Sequence, residues 1–156
     1  MLNDEALHQF WQSYLLTLPA QHVHRLCLLP DAWGFGDSPG MADESGELVV
    51  KGIKTATCSR YLGKNVLADA GLSIILAGDE QPLCLIETYE ITVRRYCDVD
   101  AEFATAEGEG DLSLEYWRKV HWRFFSREAM TEGYEVSDDM LLSCERFRVL
   151  YRNSER

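Results

Sequence analysis

Apolar side chains at Leu7, Phe10, Trp11, Tyr14, Leu15 and Leu18 recur at steps of three and four, which predicts a helix over residues 4–18. Asn3 is placed to cap it and Pro19 to end it. Residues 20–29 fit either a short helix or a strand running toward Pro30. The segment 33–40 carries three glycines, a proline and two aromatics, which predicts an ordered loop pinned to the core by Trp33 and Phe35. Residues 41–51 form a short helix with Leu48 and Val49 inward, closed by Gly52.

Beyond Gly52 the period changes. Strands are predicted at 55–59, 72–77 and 83–93, the last two joined as an antiparallel hairpin through the turn Gly78-Asp79-Glu80-Gln81-Pro82. A helix starts after Asp98 or Asp100 and runs to Ala106, followed by the polar break Glu107-Gly108-Glu109-Gly110-Asp111. Ser113 opens a longer helix to about Arg127, with Leu114, Trp117, Val120, His121 and Phe124 as its inner stripe. Residues 140–151 read as a closing strand. Helices and strands do not alternate regularly, so the pattern predicts an α+β fold with a curled or barrel-like sheet rather than a doubly wound one. No repeat or linker divides the chain, and 156 residues suit one substantial core.

Composition narrows the partners. Twenty-six acids against 15 bases give a net charge of -11, which argues against a broad duplex-coating surface but leaves room for a small nucleic-acid pocket. Lys51, Lys54, Arg60 and Lys64 gather within one short stretch, whereas 98–115 holds acids and no base. Five scattered cysteines without a CxxC spacing point to reduced thiols in a cytoplasmic protein and away from structural zinc. No stretch is long and apolar enough for a membrane span, and Asp4 and Glu5 do not suit a signal peptide.

Lys54 stands out within Gly52-Ile53-Lys54-Thr55-Ala56-Thr57. Desolvated, its amine would act as a base or polarise a carbonyl; exposed, it would only attract phosphate or carboxylate. A plain surface lysine is the commoner case. Thr57 needs a neighbouring base to become a nucleophile, and shares strand parity with Thr55 and Ser59; Cys58 points the other way. Glu107 can pair with Lys54, orient a hydroxyl, activate water or ligate a metal, while Glu109 and Asp111 fit a solvated loop. Trp33, Phe35 and Tyr61 are candidates for stacking on a base, against the alternative that the first two only anchor their loop. Arg94, Arg95 and Arg123 add positive charge whose direction the sequence does not give. His121, four residues from Trp117, reads as a packed imidazole rather than a catalyst, and His22 with His24 makes a weak metal signal.

Taken in order, Trp33-Gly34-Phe35-Gly36-Asp37, Gly52 to Thr57, the run 104–111, Leu112 to Phe125 with Trp117 and His121, and the closing strand 144–151 resemble the ASCH domain family, relatives of the PUA-like folds. The chain is similar to the family's larger, Trp- and Gly-rich subgroup, as one domain over 1–156 with an N-terminal helical extension at 1–25 and the family core at 26–152. The resemblance implies a PUA-like, curled or barrel-like, mostly antiparallel sheet flanked by helices, with a cleft near Lys54. It also implies an RNA-related role. Some members cleave single-stranded RNA with Mg²⁺ or Mn²⁺; a smaller relative hydrolyses N4-acetylcytidine. Carried over, the amidohydrolase roles fall on Lys54 as base, Thr57 as nucleophile and Glu107 as orienting acid, with Trp33, Phe35, Thr55, Ser59, Arg60 and Tyr61 as substrate contacts. The partner expected is single-stranded RNA or a modified ribonucleoside rather than duplex DNA or a membrane, for a monomer or homodimer. The competing reading is a non-catalytic RNA or small-ligand binding module.

Overall fold

The computed structural model describes residues 4–64, 67 and 69–154. Its elements run α1 (Asp4–Leu16), β1 (Asp31–Trp33), α2 (Pro39–Val50), β2 (Ala56–Arg60), β3 (Leu72–Leu76), β4 (Pro82–Arg95), α3 (Ala101–Glu107), α4 (Leu114–Glu132) and β5 (Leu141–Arg152). The fold class is α+β, with one mixed five-stranded sheet in the order β1-β3-β4-β5-β2. β3 pairs antiparallel with β4, Ile74 opposite Leu85, and β2 pairs antiparallel with β5, Cys58 opposite Cys144. β1 adds a short parallel edge to β3. That strand was not expected, because three residues are too few to show a period. The ambiguous stretch 20–29 contains a 3-10 helix, Val23–Leu26, and the expected Asn3 cap lies outside the described residues.

Two compact units are interleaved along the chain: residues 1–50, 67–88 and 148–156 form one, and 51–66 with 89–147 the other. In the first, α1 buries Leu7, Phe10, Trp11, Tyr14 and Leu15 against Leu72, Ile74, Leu76 and Leu85, the face that its spacing had marked as apolar. α2 stops at Val50, and Gly52, at φ +78, takes the left-handed turn that lets the chain leave the helix.

The second unit has its own core of Ala56, Tyr96, Val99, Phe103, Ala104, Trp117, Phe125, Leu142 and Cys144. α3 begins at Asp100, whose side chain accepts from the Phe103 N–H, and α4 begins at Ser113, which accepts from Tyr116. α4 continues past the expected Arg127 to Glu132. Its buried stripe is Trp117, His121, Phe125 and Ala129, one step round from the expected Phe124, which is half-buried. Each step of four turns about 40° around a helix of 3.6 residues per turn, so the buried face rotates along α4 toward Phe125 and Ala129 and away from Phe124.

Candidate functional site

Lys54 lies on the bend between α2 and β2, and the backbone around it is tied to the end of α3. Thr55 donates its N–H to the Ala106 carbonyl at 2.7 Å, and its hydroxyl reaches the same oxygen at 3.3 Å. Gly108 caps α3 at φ +74, and a Cβ there would stand 2.7 Å from the Ile53 carbonyl oxygen and 2.8 Å from Lys54 Cα. Only glycine allows the two segments to approach so closely. This contact brings residues more than fifty positions apart in sequence into one cluster.

The Lys54 side chain is 1% exposed. Its ammonium donates to Glu107 Oε1 at 3.0 Å, to the Glu107 carbonyl at 3.3 Å and to Glu109 Oε1 at 3.0 Å. An ammonium carries three N–H donors, and these acceptors match that number. Burial opposes the charge on Lys54, but Glu107 and then Glu109 outweigh it and hold its pKa above the ordinary lysine value.

Glu107, 1% exposed, also receives the Trp117 indole N–H at 2.6 Å and faces His121 Nε2 at 3.3 Å. His121 Nδ1 donates to the Trp117 carbonyl at 2.9 Å, and the two rings stack at 4.3 Å. Burial opposes ionisation of Glu107, yet Lys54 above all, then His121 and Trp117, keep its carboxyl far below the usual carboxylate range. Burial likewise works against the His121 cation, and Glu107 reverses the outcome, raising its pKa. The Lys54–Glu107 pair is therefore held charged. Lys54 in this state donates hydrogen bonds and positive charge; it does not accept a proton.

Thr57 sits on β2, half-buried, and its hydroxyl makes no hydrogen bond with a described residue. Thr55 and Ser59 are exposed at the same parity. Arg60 stacks over Tyr134 at 4.0 Å and pairs with Glu132 at 3.3 Å, so its guanidinium is committed to α4 and the segment that follows it. Tyr61 is half-buried and bonds through its backbone to Leu141. Trp33 and Phe35 belong to the other unit, edge to face at 4.8 Å, with Phe35 buried; with Ser38, Pro39 and Ala42 they line a cavity of about 370 Å³. His24 is buried against the Tyr14 hydroxyl at 2.7 Å, and His22 accepts from the His24 backbone.

Glu109, Trp117 and His121 are the members of the cluster that sequence reasoning had set aside. The spacing of Trp117 and His121 put both on one helical face, but only the fold places Glu107 opposite that face.

One possible metal cluster occurs among the described residues: Cys58, Glu107 and His121, with donor atoms within 4.8 Å of one another. It does not suit Mg²⁺ or Mn²⁺, which require several oxygen ligands. It offers one carboxylate, already engaged by Lys54, Trp117 and His121. Burial and then Glu107 push the Cys58 thiol well above its usual pKa, so the thiolate a softer metal needs is disfavoured.

The ASCH domain family model matches residues 31–151, most of the chain and all of the second unit's cluster. The chain belongs to the ASCH domain family. This ASCH protein thus carries a PUA-like fold of a family associated with RNA binding. A crystal structure of an ASCH domain from Lactobacillus crispatus superposes with a TM-score of 0.85 at 30% identity, covering 95% of this chain and 96% of that one. A protein from Enterococcus faecalis is similar with a TM-score of 0.81 at 37% identity, covering 97% of this chain and 91% of that one. No curated protein matches it. No helix among the described residues is long and apolar enough to cross a membrane.

Proposed function

We propose that this ASCH protein is an RNA-related hydrolase that removes an acyl group from a modified ribonucleoside such as N4-acetylcytidine. The observation that carries the reading is the desolvated Lys54–Glu107 pair at 3.0 Å; Thr57 follows Lys54 by three residues, its hydroxyl has no partner among the described residues, and its role comes from the family resemblance. Lys54 can serve a substrate only by exchanging one acceptor for another. Glu109, 25% exposed, is the partner able to leave; Glu107 is fixed by its other bonds. A substrate carbonyl oxygen taking Glu109's place would be polarised by the ammonium in a site of low dielectric.

Thr57 Oγ then bonds to the acyl carbon, and the bond from that carbon to the exocyclic nitrogen breaks. The hydroxyl proton passes to the released Glu109 carboxylate and on to the departing nitrogen. Water frees the acid from the threonine ester by the same route. No step needs a metal.

The test is acetate release from N4-acetylcytidine by the purified chain. Thr57→Ala should abolish turnover while Thr57→Ser retains part of it, and wild-type rates in Thr57→Ala would end the proposal. A second reading, ligand or RNA binding without turnover, is favoured by the near-complete enclosure of Lys54; saturable binding with no acetate released supports it.

A further inference from the structure

α4 presents two faces of opposite character. Inward lie Trp117, His121 and Phe125. Outward, the stretch from Tyr116 to Arg127 holds Arg118, Lys119, Arg123 and Arg127 and no acid, in a chain where acids outnumber bases 26 to 15. Arg118, Lys119 and Arg123 are exposed, and none has a salt-bridge partner among the described residues. Most other described cations are committed. Lys54, Arg60, Arg94, Arg95, Arg146 and Arg148 pair with carboxylates, and Arg25 and Arg152 bond backbone carbonyls.

Trp122 stands among the three free cations with 38% of its surface exposed. It is held by Tyr96, edge to face at 5.4 Å, and the Tyr96 hydroxyl is fixed in turn by donating to the Arg118 carbonyl at 2.6 Å. These residues and Asp138 line an open groove of about 460 Å³. A braced indole ringed by unpaired cations combines the two contacts that single-stranded nucleic acid offers, a base face and phosphates.

We propose that this α4 face binds single-stranded RNA, with Trp122 stacking on an unpaired base and Arg118, Lys119 and Arg123 meeting the flanking phosphates. The assignment does not rest on the Lys54 chemistry and involves none of its residues. Duplex is disfavoured on two counts. Its bases are already stacked, and the cations span about 7.5 Å of helix axis against roughly 34 Å for a duplex turn. The net charge of -11 repels a long polyanion elsewhere on the molecule. An acidic peptide would satisfy the cations but leave the indole unused.

The experiment is fluorescence anisotropy of the full chain with labelled oligouridylate, duplex RNA and polyglutamate, at roughly 50 and 200 mM salt. The expected result is preference for the single strand. The triple variant Arg118→Gln/Lys119→Gln/Arg123→Gln should bind about ten-fold more weakly at low salt and lose about two units of the slope of log affinity against log salt. Trp122→Ala should weaken binding without changing that slope, and Trp122→Phe should retain it. These are surface substitutions, and far-UV circular dichroism verifies the fold of each. Equal binding of polyglutamate or duplex, wild-type affinity in both the triple and Trp122→Ala variants, or no wild-type binding at low salt would each overturn the assignment. Thr57→Ala should bind oligouridylate normally, so loss of turnover and loss of strand binding fail separately.

Discussion

Lys54 and Glu107 show how far a buried ion pair departs from a surface one. Each is almost wholly out of water, a situation whose desolvation cost is met only when both charges and their hydrogen bonds are present. Removing one partner strands the other. Lys54→Met is expected to cost about 3–5 kcal/mol in a denaturant titration. The double variant Lys54→Met/Glu107→Gln should recover part of that loss, and a double variant no more stable than the single one would contradict the coupling.

The same cluster sets a pH signature. His121 has its pKa raised in the fold, so its contribution is complete below the unfolded value of about 6.5 and is lost as pH rises through the folded value. Glu107 is depressed, so its contribution holds above about 4.3 and is lost as pH falls below that. Thermal melting of wild type and His121→Gln across this range should show a gap in Tm that narrows as pH rises from about 6 toward 9, down to what remains from ring stacking. A gap independent of pH would remove His121 from the charged cluster.

Among the elements, the end of α3 fixes the backbone that carries Lys54. Its capping glycine stands where a methyl group would strike the Ile53 carbonyl, so Gly108→Ala combines a strained φ with a steric clash. A loss on the order of 2 kcal/mol or more is expected. Because the displaced backbone carries Lys54, any acyl-hydrolase activity should fall further than the melting temperature suggests. A fully active, equally stable Gly108→Ala protein would show that the close approach does not position Lys54. α4 was legible as an amphipathic helix from Leu114, Trp117, Val120, His121 and Phe124, but the buried ring at its far end is Phe125 rather than Phe124. β1 was not legible: three residues gain their conformation from pairing with β3, and nothing local requires it.

For the whole molecule, donor chemistry bears on whether divalent metal takes part. Any ligand that binds only the folded state raises Tm in proportion to the logarithm of its concentration. Added Mg²⁺ or Mn²⁺ is therefore expected to leave the melting temperature unchanged, since Cys58, Glu107 and His121 suit neither ion. A saturable upward shift that disappears in Glu107→Gln would reverse that conclusion. The interleaved units also explain why no linker showed in the sequence. β4 and β5 each contribute residues to both, so no single cut in the chain separates them.

Local rules were enough for the helices, the β3–β4 hairpin and the two side-chain caps, because spacing, turn residues and capping act within a few residues of one another. Resemblance to the ASCH family could be read from ordered motifs, and with it the interest of Lys54, Thr57 and Glu107. What the chain could not disclose one residue at a time was that Glu109, Trp117 and His121 gather around Lys54 and Glu107. Nor did it disclose that Lys54 is enclosed and held protonated, or that three cations of α4 are left without partners. Those outcomes depend on burial and on distances between segments far apart in sequence. Burial and distance set the strength of a charge, and the chain acquires both only on folding.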